Sequence, residues 1–242
     1  MSANVHTGLQ VEISNRQIFR IAIPISLAIL IPQLNFITNN IFLGHYEGDA
    51  AALAVAGITG VYYLIFAAIG YGLNNGLQAL IARRAGENRP EEIGKLFTQG
   101  VLIGLLVAVA GILVTWLLTP AIFSFIIHDP EVKEKAISFL RVRIWGLPFL
   151  YIYQLRNALL VGTNQSRYLV AGTLAETLAN ILLDYLLIFG HWGFPELGFN
   201  GAAIASVIAE FVGMFVIFLV IRWKGISQRF GLFKELSWNK EN

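Results

Sequence analysis

The stretch Leu96–Ile127, LFTQGVLIGLLVAVAGILVTWLLTPAIFSFII, runs for thirty-two residues without an Asp, Glu, Lys or Arg. A helix needs about 20 predominantly apolar residues to cross the hydrocarbon core of a bilayer, so this segment can span with length left over for tilt. Two more stretches read the same way, Ile21–Phe42 and Ala50–Ala82, also without charge. Tyr168–Gly190 and Gly201–Ile221 join them if Glu176, Asp184 and Glu210 are tolerated inside. A sixth, Ile137–Val161, carries Arg141 and Arg143 near its start and Arg156 near its end. A membrane barrel would show alternating segments of about ten residues, and the sequence has none. The pattern predicts an all-α membrane protein with six transmembrane helices.

Composition agrees. Of 242 residues, 56% are hydrophobic and 13% charged; soluble domains carry about 25% charge. Mean hydropathy is +0.66. A soluble enzyme and a disordered chain are both excluded. There is no cysteine, hence no disulfide framework and no thiolate site, and the net charge of +2 gives no reason to expect nucleic acid as a partner. No phosphate-cradling glycine loop with a Lys, no HExxH and no Gly-x-Ser-x-Gly elbow occurs. The four histidines are dispersed, with His45, His128 and His191 assigned to outer loops. The reading is therefore not an enzyme, and no cofactor is expected. Met1–Gln10 is polar and lacks the basic start and short apolar run of a signal peptide, so the first stretch is read as a true span.

Lys and Arg set the orientation. With six spans, the side holding both ends and the loops after spans two and four carries thirteen Lys or Arg, and the other side four: Lys133, Lys135, Arg141 and Arg143. The positive-inside rule then places both termini in the cytoplasm of a multi-pass protein. The expected division is a cytoplasmic N-terminus over 1–17, a six-helix transmembrane lobe over 18–222 and a basic cytoplasmic tail over 223–242. Gly44 to Asp49 reads as a short outer turn. His128 to Lys135 reads as the start of a surface-lying helix, and Pro90-Glu91-Glu92 as the first turn of the third span. The tail, with Trp223, Phe230, Phe233 and Trp238, reads either as a segment lying on the membrane face or as a polar end.

Polar residues inside the spans carry the chemistry. A charge at mid-bilayer costs about 2.5–3.5 kcal/mol on insertion scales, so each needs a partner or a wet cavity. In span five, Glu176, Asn180 and Asp184 are spaced i, i+4, i+8 and share one helix face, widened by Thr173 and Thr177. Two carboxylates separated by an amide can bind a cation or carry a proton; alternatively they only bond neighbouring helices. Span one offers Asn35 and Asn39 after Pro24 and Pro32, prolines that free backbone carbonyls and favour a bend. Span two offers Tyr71, Asn74, Asn75 and Gln78, span four Tyr153 and Asn157, span six Ser206 and Glu210. So many stripes favour a shared polar cavity. Gly201, Ala202, Ala203 and Ala205 permit close helix approach, as do the glycines of span two, which alternatively loosen that helix.

Several of these residues carry a resemblance. Asn180-Ile-Leu-Leu-Asp184 through Gly190, then Pro195 to Ser206, resembles multidrug and toxic compound extrusion (MATE) transporters of the MOP superfamily. So do Ile41-Phe-Leu-Gly44 and Ile81-Ala-Arg83-Arg84-Ala-Gly86-Glu87. The resemblance implies one amino-terminal six-helix lobe of a twelve-helix antiporter in the cytoplasmic (inner) membrane, exporting organic cations or drugs against H⁺ or Na⁺. It also implies a second six-helix lobe as partner, either the remainder of a longer chain or another copy. Carried over by position, its cation or proton site is Asn157, Asn180, Asp184 and Ser206, the last where the family often has Thr. Ahead of Ile41-Phe-Leu-Gly44 the family often has Asp, and this chain has Asn39. Glu176 is expected to compensate, with Glu210, Asn35 and Gln78 as secondary candidates; no metal beyond Na⁺ is implied. Two other readings stand beside it, a non-transporting membrane assembly protein and a flippase for lipid-linked substrates in the same superfamily.

Overall fold

A computed structural model describes residues 14–47 and 50–233. Every element in it is helical: α1 (Asn15–Glu47), α2 (Ala50–Gly86), α3 (Pro90–Ile126), α4 (Pro130–Arg143), α5 (Leu147–Gly162), α6 (Leu169–Phe189), α7 (Gly198–Trp223) and α8 (Ile226–Phe230). By length and apolar composition, four helices of the described residues can cross a membrane: Ala54–Gly86, Pro90–Ile126, Ser166–Phe189 and Gly198–Trp223. Their outward faces are apolar where a soluble protein would be polar; Leu106, Leu117 and Phe125 are 71%, 72% and 86% exposed.

Local sequence explains where the helices start and stop. Pro90 opens α3 with Glu91 and Glu92 in its first turn, as expected. Asp129 caps α4, its carboxylate accepting from the backbone N–H of Glu131 (2.9 Å) and Val132 (3.3 Å). A single 3-10 turn, Ile144–Gly146, separates α4 from α5, and Pro148 lies in the first turn that follows. Gly190, at φ 69°, ends α6 in the left-handed conformation. Within the spans, threonines satisfy their own hydroxyls: Thr98, Thr115 and Thr163 donate to the carbonyls of Gly94, Gly111 and Leu159 at 2.7–2.9 Å. In a medium without water, that removes the need for any other partner.

α6 packs most extensively on α7 and next on α1; α5 packs on α2, α3 and α7. One apolar cluster, including Ile81, Phe97, Leu159 and Ile217, fills the end that holds α8. Another, with Leu43, Phe123, Leu140 and Phe199, fills the opposite end. Phe66, Ile144, Leu147 and Tyr151 form a smaller cluster between them.

The structure corrects several expectations. α1 (Asn15–Glu47) extends beyond the apolar stretch Ile21–Phe42 at both ends and runs unbroken through Pro24 and Pro32; Gly44 and His45 therefore lie in its last turn, not in a loop. Residues 48 and 49 of the expected turn lie outside the described residues. The start of the tail packs on the end of the bundle. Ile226 and Phe230 are 2% and 1% exposed in the first apolar cluster, and the Phe233 ring meets Phe97 edge-on at 5.7 Å. Trp238 lies outside the described residues. Of the span-two glycines, Gly70 meets a neighbour, the Tyr151 ring, at 2.8 Å from where a Cβ would stand. Gly57, Gly60, Gly72 and Gly76 face open space among the described residues. Gly201 does what its position promised: a Cβ there would lie 2.5 Å from the Leu187 carbonyl oxygen, so α7 approaches α6 backbone to backbone.

Candidate functional site

Three helices meet at Asn180. Its side-chain oxygen accepts a hydrogen bond from Asn39 Nδ2 on α1 (3.3 Å), and its Nδ2 donates to Ser206 Oγ on α7 (3.2 Å). Asn180 is 2% exposed, and Asp184, one turn further along α6, is 0% exposed. The face that buries them is the one packed against α1 and α7. The donors gathered here are all oxygens, carboxylate, amide and hydroxyl, which suit a hard cation or a proton and not a soft metal. Asn39, Asn180 and Ser206 are thus joined by hydrogen bonds, with Asp184 one turn further along α6. The Asn35 side chain lies outside the described residues.

Asn157 belongs to a neighbouring group. Its amide hydrogen-bonds the hydroxyl of Tyr153, one turn back on α5, and that hydroxyl pairs with Thr173 Oγ1 on α6 at 2.8 Å. The Asn157 side-chain oxygen is buried with no hydrogen-bond partner among the described residues. Span two contributes less than its stripe predicted. Asn74 Nδ2 donates to the neighbouring Asn75 (3.3 Å), which is exposed, and among the described residues Gln78 makes no hydrogen bond to any of these groups.

Glu210 is committed elsewhere. Arg143 grips it with both terminal nitrogens, Nη2 to Oε1 at 2.6 Å and Nη1 to Oε2 at 2.9 Å. Tyr63 donates to Oε1 at 3.1 Å, and the Arg143 guanidinium lies 3.8 Å from the Tyr63 ring centroid. The side chains of Arg143 and Glu210 are 13% and 6% exposed. A methyl group at Gly146, in the 3-10 turn before α5, would overlap the Glu210 carboxylate, so the break between α4 and α5 makes room for the pair. Glu176 lies along Gly213 of α7, its Cβ 2.9 Å from where a Cβ of that glycine would stand, and feels the fields of Glu210 and Arg143. The spacing i, i+4, i+8 put Glu176, Asn180 and Asp184 on one face. In three dimensions that face is shared between two groups of neighbours.

Arg143 and Tyr63 were missed as site residues. Arg143 was counted among the outer-side charges, and the structure withdraws it into the bundle. The signal available was Glu210 itself, a carboxylate that could not be left unpaired in a span. Three carboxylates, Glu176, Asp184 and Glu210, lie in the field of this one guanidinium.

The bundle is that of a polytopic membrane transport protein. The family model described as MatE matches residues 24–186, well over half of the chain, and the chain belongs to the MATE family, whose members are transporters and not enzymes. It is similar to the "Probable multidrug resistance protein NorM" of Synechocystis sp. (strain ATCC 27184 / PCC 6803 / Kazusa), 30% identical over 95% of this chain and 49% of the relative. It is also similar to "Multidrug resistance protein MdtK" of Cronobacter sakazakii (strain ATCC BAA-894), 29% identical over 83% of this chain and 43% of the relative. Among solved structures, an outward-facing multidrug resistance MATE family transporter of the MOP superfamily superposes with a TM-score of 0.78 at 22% identity, over 93% of this chain and 49% of that one. A MATE structure in the bent conformation superposes with 0.79 at 22% identity, over 97% and 52%. These likenesses establish the fold. The chain spans about half the length of the curated relatives it matches.

Proposed function

We propose that the chain forms one six-helix lobe of an efflux antiporter that exports organic cations or drugs across the inner membrane in exchange for H⁺ or Na⁺. The six spans are α1, α2, α3, the α4–α5 pair, α6 and α7, with both termini in the cytoplasm. The division is a terminal segment over 1–17, the lobe over 18–222 and the tail over 223–242. A second six-helix lobe, in the same chain or from another copy, supplies the opposite wall of the substrate path.

One observation carries this reading: the hydrogen-bonded line Asn39–Asn180–Ser206 across α1, α6 and α7, with buried Asp184 one turn beyond it. A charge on a buried carboxylate in that position is costly, and a proton or Na⁺ relieves the cost, so occupancy of the site and the packing of α1 against α6 and α7 are coupled. Asn157 and Glu176 act beside this line, and Glu210 acts through its pair with Arg143. The excess of carboxylates over guanidinium favours cation entry.

The test is transport of ethidium in proteoliposomes under an imposed Na⁺ or pH gradient, with the chain alone and with a companion lobe. The expected outcome is gradient-driven export only by particles that contain two lobes. Vigorous export by particles shown to be monomeric, or export indifferent to both gradients, would refute the proposal.

A further inference from the structure

Glu176 differs from the other two carboxylates inside the spans. Asp184 and Glu210 are buried, whereas Glu176 is partly exposed. Arg143 is committed to Glu210 by its two-pronged pair. Glu176 lies in the fields of that pair and makes no hydrogen bond among the described residues. A carboxylate at this depth calls for a positive partner. Two tyrosines stand around it: Tyr71 on α2 and Tyr153 on α5 both feel the Glu176 charge, and each other. Tyr71 is 56% exposed, so the group reaches the surface of the lobe at that ring. The Tyr153 ring is pressed against α6, its Cε2 3.0 Å from where a Cβ of Gly172 would stand.

Two amide oxygens complete the group, and hydrogen bonds fix which atom of each amide is presented. Thr173 donates to the Leu169 carbonyl (3.2 Å), so the Tyr153 hydroxyl donates to Thr173 Oγ1 (2.8 Å) and accepts from Asn157. That bond uses the Asn157 nitrogen; its Oδ1 is buried with no hydrogen-bond partner among the described residues. Asn74, one turn after Tyr71, is held likewise. Its Nδ2 donates to Asn75, and its buried Oδ1 has no partner among the described residues. α2 and α5 run side by side, Gly70 against Tyr151 and Ile81 against Gly162, which sets Asn74 at a level between Tyr153 and Asn157. The group therefore offers acceptors only: a carboxylate and two amide oxygens, beside an accessible aromatic ring.

We propose that Glu176, Tyr71 and the side-chain oxygens of Asn74 and Asn157 form a subsite for the ammonium group of an exported amine, one that prefers N–H-bearing ammonium to quaternary ammonium. Glu176 supplies the counter-charge and the Tyr71 ring an electron-rich face. The two amide oxygens accept N–H bonds that a quaternary nitrogen has no hydrogen to make. The inference rests on the reading of the chain as an efflux lobe, and it gives Glu176 a task separate from the Asn39–Asn180–Ser206 line.

The test is binding to the purified chain in detergent at pH 7, with no gradient and no second lobe. Its outcome is thus independent of the transport assay: export indifferent to both gradients would refute the antiporter and leave this result standing, and the reverse holds equally. Two fluorescent probes differ at one nitrogen, dansylcadaverine with its primary ammonium and the N,N,N-trimethyl derivative. The primary amine is expected to bind roughly tenfold more tightly, since the trimethyl probe forfeits charge-assisted hydrogen bonds. Glu176→Gln should weaken both probes, by roughly tenfold for the primary amine. Asn74→Leu and Asn157→Leu should each narrow the preference while changing the trimethyl probe less. Glu87→Gln, in the loop between α2 and α3, should bind both probes as the native chain does. Thermal melting checks that each variant folds; if Glu176→Gln does not, Tyr71→Leu, at an exposed ring, takes its place and should weaken both probes. Equal affinity of the native chain for the two probes, binding of neither, or native affinities in Glu176→Gln or its replacement would overturn the proposal.

Discussion

Arg143 and Glu210, 67 positions apart, form a two-pronged buried ion pair at 2.6 and 2.9 Å that ties the end of α4 to the middle of α7. Breaking such a pair from one side leaves the other charge uncompensated, at a cost of roughly 3–5 kcal/mol. Glu210→Gln is therefore expected to lower thermal stability sharply in detergent, because Arg143 keeps its charge and loses its partner. Removing both charges, as in Arg143→Met/Glu210→Leu, should recover most of the loss. A Glu210→Gln protein that melts with the native chain would show that the pair does not hold these helices together.

The approach of α7 to α6 at Gly201 sets a second expectation. A Cβ there would stand 2.5 Å from the Leu187 carbonyl oxygen and 2.7 Å from its carbon, both backbone atoms that cannot rotate away. Gly201→Ala should cost at least about 1–3 kcal/mol, the usual range for overpacking. Because Ser206 lies further along the same helix, the variant should also lengthen the Asn180–Ser206 contact and weaken cation binding. Gly57→Ala, whose Cβ meets open space among the described residues, is the matched control and should be neutral. Equal melting temperatures for the two would contradict the close packing.

The loop between α2 and α3 gives a pH dependence with a definite sign. Arg84 donates to Glu87 Oε2 at 2.7 Å and Arg83 to Oε1 at 3.0 Å; these bonds, the Arg84 bond first, hold the Glu87 carboxyl below its ordinary 4.5. A depressed folded-state value means that stabilisation is present above the unfolded value and lost as pH falls through the folded one. The difference in melting temperature between the native chain and Glu87→Gln should be small and constant from pH 7 to 5, then shrink to nothing on further acidification. A difference that grows in acid would reverse the assignment.

Length and apolarity, on which the bilayer requirement depends, made four helices legible as candidate spans, two of them in uncharged runs and two around Glu176, Asp184 and Glu210. Spacing along α6 was legible too, and it correctly marked Asn180 and Asp184 as one buried face. Periodicity tells which face a side chain is on, not what stands opposite. So it grouped Glu176 with Asp184, although Glu176 lies against Gly213, and it left Arg143 among loop charges. The same limit hid the return of Phe230 into the core: its burial depends on Gly94, where a Cβ would overlap the Phe230 carbonyl, more than a hundred positions away. Asn157 fits a polar cavity in sequence, yet its hydrogen bond goes to Tyr153 on its own helix.

Orientation is testable because the chain has no cysteine. Glu91, in the first turn of α3, and Glu196, before α7, are both exposed. In the orientation that the Lys and Arg distribution favours, Glu91→Cys should react with a membrane-impermeant maleimide only from the cytoplasmic side, and Glu196→Cys only from the outside. The burial of Arg143 reduces the outer-side loop charges from four to three, which sharpens the bias. Labelling of the two positions from the same side, or with sides exchanged, would rule out the proposed topology.

Asp184 and Asn39 together provide the test of coupling. Asp184→Asn preserves shape and hydrogen-bonding capacity but removes the carboxylate one turn beyond the Asn39–Asn180–Ser206 line, so the variant should insert and melt close to the native chain. In a form that contains two lobes, it should lose the dependence of export on Na⁺ or pH. Asn39→Asp works in the opposite direction. The 3.3 Å bond from Asn39 Nδ2 to Asn180 Oδ1 would be replaced by two facing oxygens, which only a proton or a cation between them can reconcile. Alone, it should tighten cation binding and steepen the pH dependence. In an Asp184→Asn background, it should restore part of the coupling by moving the charge across the line. Export by Asp184→Asn with native rate and native ion dependence would place the coupling group elsewhere, and Glu176 would be the next carboxylate to replace.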